Sequence, residues 1–205
     1  MAGRQKHAEQ ESQEINILDL LRGPADFQDV SLENYRVHYV CGEIDEFSAQ
    51  EACEFLLKCY FMDKSKPVTL VINSPGGSCS EGFAIIDLMA SLGLKVKTVA
   101  LGQVCSMGFL LFVAGSPGER SVAPNCTFMS HQFYAGNEGK MHEIEAAKKK
   151  KKNLEERIVN HLIKHTGLTK KKVKDTLLPS HDVWLTAEEA IKLNIGDKIL
   201  SNIEN

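Results

Sequence analysis

The chain has 205 residues, of which 43% are hydrophobic, and its formal net charge at neutral pH is −3. This length predicts one domain with a substantial core, and the charge favours neither nucleic acid nor an anionic membrane surface as a partner. No apolar run approaches the length of a membrane span, and the N-terminus lacks a signal-like hydrophobic stretch. We interpret the polar residues 1–31 as a flexible or processed leader and residues 32–205 as the folded domain.

Strand and helix patterns alternate after this leader. Short β-branched apolar runs predict strands, and amphipathic runs predict helices. In chain order we predict a strand over 35–42, a helix over 48–62 capped by Ser48, a strand over 68–72, a helix over 80–92, a strand over 96–101, a helix entered at Ser106, an extended segment over 127–133, a long helix over 141–165 ended by Gly167, helices over 169–177 and from Thr186, and a strand over 198–200. Such alternation is typical of an α/β domain with a mainly parallel sheet.

Cysteine usage indicates a reducing compartment. The six cysteines show neither a CxxC pair nor regular spacing, at positions Cys41, Cys53, Cys59, Cys79, Cys105 and Cys126. This pattern favours reduced core residues of a cytoplasmic protein over disulfide partners or zinc ligands. We therefore expect a cytoplasmic location and no metal site.

Two loops at the carboxyl ends of neighbouring predicted strands have the residues that a catalytic site needs. The first contains Gly76-Gly77, where the absence of side chains lets the backbone approach a ligand closely. The second contains Ser106 at a predicted helix start, where unpaired N–H groups can stabilise an oxyanion. The alternatives are that Gly76-Gly77 forms an ordinary turn and that Ser106 only caps its helix.

A nucleophilic serine needs a general base and a group that orients the base. Among the seven histidines, His131 lies inside an apolar segment near a predicted strand end, although a structural core histidine is the alternative. Asp182 precedes an apolar triplet and is a candidate carboxylate, although an aspartate there is also typical of a turn. From spacing alone, Ser106, His131 and Asp182 are one allowed combination.

Two further polar features favour structural interpretations. His161 and His165 have the i,i+4 spacing of a chelating pair, but Leu162 stands where the HExxH motif has its glutamate. The lysine run 148–152 lies among glutamates in the long predicted helix, which is typical of a solvated, salt-bridged face. It lacks interleaved aromatic residues, so we do not expect nucleic-acid binding.

Four motifs in series resemble the Clp protease proteolytic subunit family. They are Ile72-Asn73-Ser74-Pro75-Gly76-Gly77-Ser78, Gly102-Gln103-Val104-Cys105-Ser106-Met107-Gly108, Met129-Ser130-His131-Gln132 and His181-Asp182-Val183-Trp184-Leu185-Thr186. The resemblance extends from about Glu33 to Leu200, with the motifs in the family's order. It implies an α/β, ClpP/crotonase-like fold of ββα units with a protruding handle over residues 132–165.

The resemblance also implies a function, the proteolytic core of an ATP-dependent protease. Such a core is a serine endopeptidase that hydrolyses unfolded polypeptides inside a tetradecamer of two heptameric rings, and a separate AAA+ unfoldase supplies the substrate. Carried over motif by motif, Ser106 is the nucleophile, His131 the general base and Asp182 the orienting carboxylate, with the N–H groups of Gly77 and Met107 as the oxyanion hole. The chain itself is expected to need no ATP site, cofactor or metal, and to bind neither membrane nor nucleic acid.

The sequence departs from the family pattern at several places, and alternatives stay open. Cys105 replaces a small apolar residue beside Ser106, which raises a cysteine nucleophile as an alternative. Phe133 replaces a proline in the handle, and residues 1–31 lack the family's usual N-terminal sequence. The rival functions are an acyl-CoA enzyme of the crotonase fold, which has no need of Ser106 or His131, and a catalytically silent subunit of a mixed ring.

Overall fold

The computed structural model describes residues 31–132 and 141–200. In chain order its elements are a 3₁₀ turn at Leu32–Tyr35, β1 (Val37–Ile44), α1 (Glu46–Met62), β2 (Val68–Gly77), α2 (Cys79–Leu92), β3 (Val96–Cys105), α3 (Met107–Val113), β4 (Arg120–Val122), β5 (Thr127–Ser130), α4 (Met141–Thr166), α5 (Lys170–Thr176), β6 (Val183–Leu185), α6 (Ala187–Lys192) and β7 (Lys198–Ile199). Strands and helices are mixed along the chain, so the predicted α/β class is confirmed.

Five strands form the main path of the sheet, in the order β1-β2-β3-β4-β7, and every pairing along it is parallel. Parallel neighbours need a crossover connection, and α1, α2 and α3 supply the first three. Because parallel strands share a direction, their carboxyl ends lie at one edge of the sheet, where ligands bind in open α/β folds. The ends of β2 and β3 are neighbours at that edge.

Strand β3 has two partners along one side. Residues 98–100 pair with β4, whereas residues 103–105 pair with β5. Gly102 separates the two halves with a φ of +57°, a left-handed conformation that glycine adopts without strain. Strand β6 then pairs antiparallel with β5. Strands β5 and β6 therefore form a short branch of the sheet beside the carboxyl end of β3.

Helix α3 is the central helix of the core, because all seven of its residues are buried. Two of its aromatic rings contact the ring of Phe128 on β5. The ring centroids of Phe109 and Phe112 lie 6.2 Å and 5.3 Å from that of Phe128. Aromatic pairs of this kind add about 0.5–1.5 kcal/mol to the free energy gained by burial. These contacts hold α3 firmly against β5.

Two strands are longer than the sequence predicted. Strand β2 continues past Ile72 to Gly77, and β3 continues past Leu101 to Cys105. The Pro-Gly-Gly turn signal is overridden because this segment keeps pairing with the end of β1, across a register shift between Cys41 and Glu43. The glycine-rich segment is therefore part of the sheet, and its pairing with β1 fixes its position.

Two short strands and one helix cap differ from prediction. Strands β4 and β6 have three residues each, too few for a periodic pattern, and neither was predicted. Helix α1 begins at Glu46, because Asp45 is its cap and accepts from the Ser48 N–H at 2.9 Å. Ser48 returns the interaction by accepting from the Asp45 N–H, so it lies in the first turn. The predicted extended segment over 127–133 is a strand only as far as Ser130.

The long helix α4 is confirmed, and Gly167, with a φ of +71°, follows its last residue as predicted. This helix contains the greater part of the predicted handle over 132–165. Residues 133–140, which include Phe133, lie outside the described residues, as does the leader up to residue 30. The domain boundaries and the handle's contact role stay predictions.

All six cysteines are free thiols. The prediction that they are core residues is confirmed for Cys59, Cys105 and Cys126, which are buried. It is wrong for Cys41, which is exposed because its side chain lies on the face of β1 opposite the buried Val40 and Ile44. The remaining two, Cys53 and Cys79, are half-buried.

Candidate active site

Ser106 lies at the sharp turn from β3 into α3, at the carboxyl edge of the sheet. Its φ of +52° and ψ of −116° fall in a region that costs a non-glycine residue about 1–3 kcal/mol. The backbone is held there by the Ser106 N–H, which donates to Met129 O at 2.8 Å. Ser106 occupies the cap position of α3, but its side chain makes no capping hydrogen bond. The Ser106 hydroxyl therefore does not serve as a helix cap.

His131 follows β5 directly and lies beside Ser106. Its Nε2 atom is 2.7 Å from Ser106 Oγ, which is within hydrogen-bond distance. The parallel pairing of Cys105 with Met129 brings these two residues together, since one follows each strand. The His131 side chain is only 14% exposed. One face of the imidazole is therefore shielded by protein while Nε2 contacts the hydroxyl.

The residues on either side of His131 are tied to the loop that follows α5. Ser130 Oγ donates to Leu177 O at 2.7 Å. Gln132 Nε2 donates to Leu178 O at 3.0 Å. These two hydrogen bonds restrict the backbone that carries the imidazole, and neither was predicted from the sequence.

Asp182 lies on the other side of the imidazole from Ser106. Its Oδ1 is 3.8 Å from His131 Nδ1, and its side chain is 46% exposed. This separation is an ion-pair distance and exceeds the length of a hydrogen bond. The structure thus brings together all three side chains of the predicted triad, with a short contact at Ser106 and a longer one at Asp182.

The backbone of Gly76 packs directly against the turn at Ser106, and that of Gly77 packs against the end of β1. A Cβ atom added at Gly76 would lie 2.6 Å from Ser106 Cβ and 2.9 Å from Met107 N, and one at Gly77 would lie 2.8 Å from Ile44 N. Their φ values are +100° and +149°, so glycine is required by conformation as well as by space. Met107 is the first residue of α3, where N–H groups lack intrahelical partners. Of the two predicted oxyanion-hole residues, Met107 therefore adjoins Ser106 directly, and Gly77 is connected to this turn through Gly76.

Ser74 supports the glycine-rich segment, a role that sequence reasoning missed. It is fully buried; its Oγ donates to Gly42 O at 2.5 Å and accepts from the Gly76 N–H at 3.0 Å. Gly108 of α3 packs against the same side chain, since a Cβ added there would lie 3.2 Å from Ser74 Cβ. The available signal was a serine directly before Pro-Gly-Gly, where local hydrogen bonding to the backbone is common.

A small cleft of about 20 Å³ adjoins the serine and the histidine. Its lining is mainly apolar, contributed by Met107, Phe109, Leu110, Ile158 and Leu178, with Cys79 and Ser130. An apolar lining lowers the effective dielectric constant, which strengthens electrostatic interactions with a developing charge. The cleft therefore suits a reaction that builds charge on the substrate.

Cys105 is a poor alternative nucleophile. Its side chain is 3% exposed, and burial raises the pKa of its thiol. Its Sγ lies 4.0 Å from Gln103 Oε1. Because the thiolate is the reactive form, a buried thiol with a raised pKa is inert.

His161 and His165 lie away from this cleft, on α4. Their ring centroids are 4.5 Å apart, and His161 Nε2 contacts Leu110 O at 2.8 Å. Burial lowers the pKa of both, that of His165 to about 4. Over residues 31–132 and 141–200, the structure places no three His, Cys, Asp or Glu side chains where they could hold a metal ion together. Over the same ranges, no helix is both long and apolar enough to span a bilayer.

Fold and site together define a class of protein. It is an α/β protein in which a serine, a histidine and an aspartate meet at the carboxyl edge of a parallel sheet. Comparison with known families then gives the assignment, since the model of the Clp protease family matches residues 26–203. The chain therefore belongs to the Clp protease family, and this membership makes it a peptidase. The predicted family and fold are confirmed.

Proposed function

We propose that the chain is the proteolytic core of an ATP-dependent protease, a serine endopeptidase that hydrolyses unfolded polypeptides. The observation that carries the proposal is the 2.7 Å contact between His131 Nε2 and Ser106 Oγ at the start of a buried helix. An imidazole at this distance can take the hydroxyl proton as the oxygen attacks a carbonyl carbon. Membership of the Clp protease family supports a peptide bond as the substrate.

In the proposed reaction, Ser106 Oγ attacks the peptide carbonyl carbon while His131 Nε2 takes the hydroxyl proton. The carbonyl oxygen becomes an oxyanion that accepts from the N–H groups of Gly77 and Met107, and one such donor lowers the barrier by about 3 kcal/mol. The C–N bond then breaks, His131 gives its proton to the leaving amine, and an ester to Ser106 remains. Water, deprotonated by His131, hydrolyses the ester, and the proton returns to Ser106.

Asp182 is proposed to orient the imidazole and to stabilise its cationic form. At 3.8 Å, its carboxylate needs to move by roughly 1 Å to accept a hydrogen bond from Nδ1. Its half-exposed position leaves room for that movement. Catalytic hydrogen bonds often tighten only when substrate binds, so the observed distance is compatible with this role.

We extend the proposal to the assembly that the family implies. Copies of the chain would form two stacked heptameric rings, with residues 32–205 as the protease domain, residues 132–165 joining the rings and residues 1–31 as the leader. A separate AAA+ unfoldase would thread unfolded polypeptides into the chamber, and short peptides would enter unaided. The six free thiols support a cytoplasmic location, which we include in the proposal.

Labelling with a serine-reactive fluorophosphonate tests the nucleophile. We expect covalent labelling of the wild type at residue 106 and none of Ser106→Ala. The matched control is Cys105→Ser, which we expect to label normally because the thiol is buried. Labelling that persists in Ser106→Ala contradicts the assignment, and an unlabelled wild type that binds coenzyme A supports the crotonase-fold acyl-CoA enzyme instead.

Hydrolysis of a quenched fluorogenic peptide, combined with particle mass on the same sample, tests the chemistry and the chamber together. We expect cleavage of short peptides without ATP by particles of tetradecamer mass. Particles of that mass that cleave no peptide would favour the catalytically silent ring subunit. Full activity in particles far smaller than a ring would contradict the chamber.

A further inference from the structure

A positively charged groove adjoins the Ser106 cleft. It has a volume of about 400 Å³ and lies where α4 passes the start of α2, with Lys149, Lys150, Asn153 and Arg157 on one side and Cys79 and Ser80 on the other. Cys79 also lines the Ser106 cleft, so the two spaces lie on either side of one residue. We call this space the cationic groove and define it by Lys149, Lys150 and Arg157.

The charge of the cationic groove is not neutralised within the described part of the chain. Among the side chains that the structure describes, no aspartate or glutamate lines it. The ion pairs formed among residues 31–132 and 141–200 include none of its three cationic side chains. Both lysines are exposed, so their ammonium groups are accessible to an anion. The lysine run predicted to form a solvated face therefore places two of its members beside the candidate active site.

Arg157 is the most restrained of the three cations. Its guanidinium carbon lies 5.1 Å from the centroid of the Phe83 ring, in a cation–π contact. A guanidinium held in this way loses less freedom on binding than a lysine and can bind a carboxylate through two parallel hydrogen bonds. The groove thus combines one oriented cation with two mobile ones.

On the His131 side of the Ser106 cleft, the lining residues include charges of both signs. A space of about 280 Å³ there is lined by Lys151, Glu155 and Lys174, among others. Glu155 and Lys174 form an ion pair at 3.2 Å, which offsets part of the positive charge. A polypeptide lying across Ser106 would therefore meet uncompensated positive charge on the Cys79 side of the cleft.

We propose that the cationic groove is a specificity-determining subsite that binds the carboxylate of an aspartate or glutamate in the polypeptide substrate. The acidic residue would lie a few positions from the scissile bond, on the Cys79 side of Ser106. This inference rests on the proposed peptidase function, because that function places the scissile bond at Ser106. An acidic peptide fits the groove better than a nucleic acid does, since none of its described lining residues is aromatic and bases would have no stacking partner among them.

Turnover of matched peptides by the full-length protein tests the subsite. The substrates are quenched fluorogenic peptides of one sequence with glutamate or glutamine at each position around the cleavage site. We expect glutamate to raise kcat/KM about fivefold at one position, and added salt to reduce this preference. The double variant Lys149→Gln/Lys150→Gln should lose the preference. The control Lys171→Gln/Lys172→Gln removes the same charge from α5 and should keep it.

Binding separates the failure of the subsite from the failure of the peptidase. Fluorescence anisotropy with the same peptides, labelled, and the Ser106→Ala variant reports affinity without turnover. We expect tighter binding of the glutamate peptide, lost in the Lys149→Gln/Lys150→Gln background. Equal affinity for glutamate and glutamine at every position overturns the subsite, and so does tighter binding of a single-stranded oligonucleotide. Selective binding with no cleavage by the wild type keeps the subsite and overturns the peptidase.

Discussion

Ser130 lies opposite Val183 in the antiparallel ladder between β5 and β6. His131 follows the first of these residues and Asp182 precedes the second, so the register places the imidazole and the carboxylate side by side, 3.8 Å apart. A slip of one residue would turn each side chain to the opposite face of the ladder. The pairing of two short strands therefore decides whether the candidate triad exists.

Replacing the carboxylate of Asp182 tests its role. We expect Asp182→Asn to lower kcat for peptide hydrolysis by at least about 100-fold, because the imidazole loses the partner that orients it and balances its charge. The melting temperature should change little, since the side chain is 46% exposed. Asp175→Asn on α5 is the matched control, with unchanged kcat. An Asp182→Asn variant with wild-type kcat would remove Asp182 from the mechanism.

Alanine at Gly76 tests the close approach of the glycine-rich segment to Ser106. Gly118 has a similar φ, +84° against +100°, but has nothing within 4 Å of an added Cβ atom. Gly118→Ala should therefore cost only the backbone strain, about 1 kcal/mol, and keep full activity. Gly76→Ala should cost about 1–3 kcal/mol more and abolish turnover, because the added methyl group collides with Ser106. Urea unfolding and peptide hydrolysis measure the two effects, and equal behaviour of the variants would contradict the packing argument.

The buried Arg120 on β4 forms an ion pair with the partly buried Asp197, the residue before β7. The carboxylate accepts from the guanidinium at 2.6 Å and 3.0 Å and from the Arg120 backbone N–H at 2.9 Å. Burial acts to raise the pKa of Asp197, but the hydrogen bonds from Arg120 outweigh burial and hold this pKa below its ordinary value. The folded state therefore favours the ionised carboxylate.

Because the pKa of Asp197 is lowered in the folded state, the protein should lose stability when acid protonates this carboxylate. The contribution of the pair is complete above the ordinary carboxyl pKa of about 4 and is lost as pH falls through the lower folded-state pKa. We expect Asp197→Asn to cost about 3–5 kcal/mol at pH 7, since it leaves a buried guanidinium unpaired, and to flatten stability below pH 4. Urea unfolding from pH 2 to 7 measures both effects, with the exposed Asp87→Asn as control. If the free energy of unfolding of Asp197→Asn falls below pH 4 as it does in the wild type, Asp197 is not the group responsible.

His165 should make the stability depend on pH in a higher interval than Asp197 does. Its pKa is lowered to about 4, first by burial and then by the neighbouring His161. The unfolded chain takes up this proton near pH 6.5, so the folded state loses stability as pH falls from about 6.5 to 4. We expect His165→Gln to reduce the slope of the free energy of unfolding over that interval. An unchanged slope in His165→Gln would contradict the prediction.

Local patterns predicted most of the fold because each depends on neighbours in sequence. The apolar, β-branched run at the start of β2, the amphipathic pattern of α1 and the stop at Gly167 were recognisable in this way. Strands β4 and β6 were missed, since three residues show no period and form strands only because a partner is present. The extension of β2 to Gly77 has the same cause, as pairing with β1 overrides a turn signal.

The sequence by itself determined the α/β class and the family motifs, because chemistry and periodicity are properties of local segments. Through those motifs it also predicted Ser106, His131 and Asp182 as site residues. Tertiary structure decided the rest: the 2.7 Å contact at Ser106, the support from Ser74 and the cationic groove beside the cleft. These features join segments far apart in the chain, and their distances are set by strand register and by packing against α3 and α4. No local pattern encodes such distances, because they exist only once the sheet has formed.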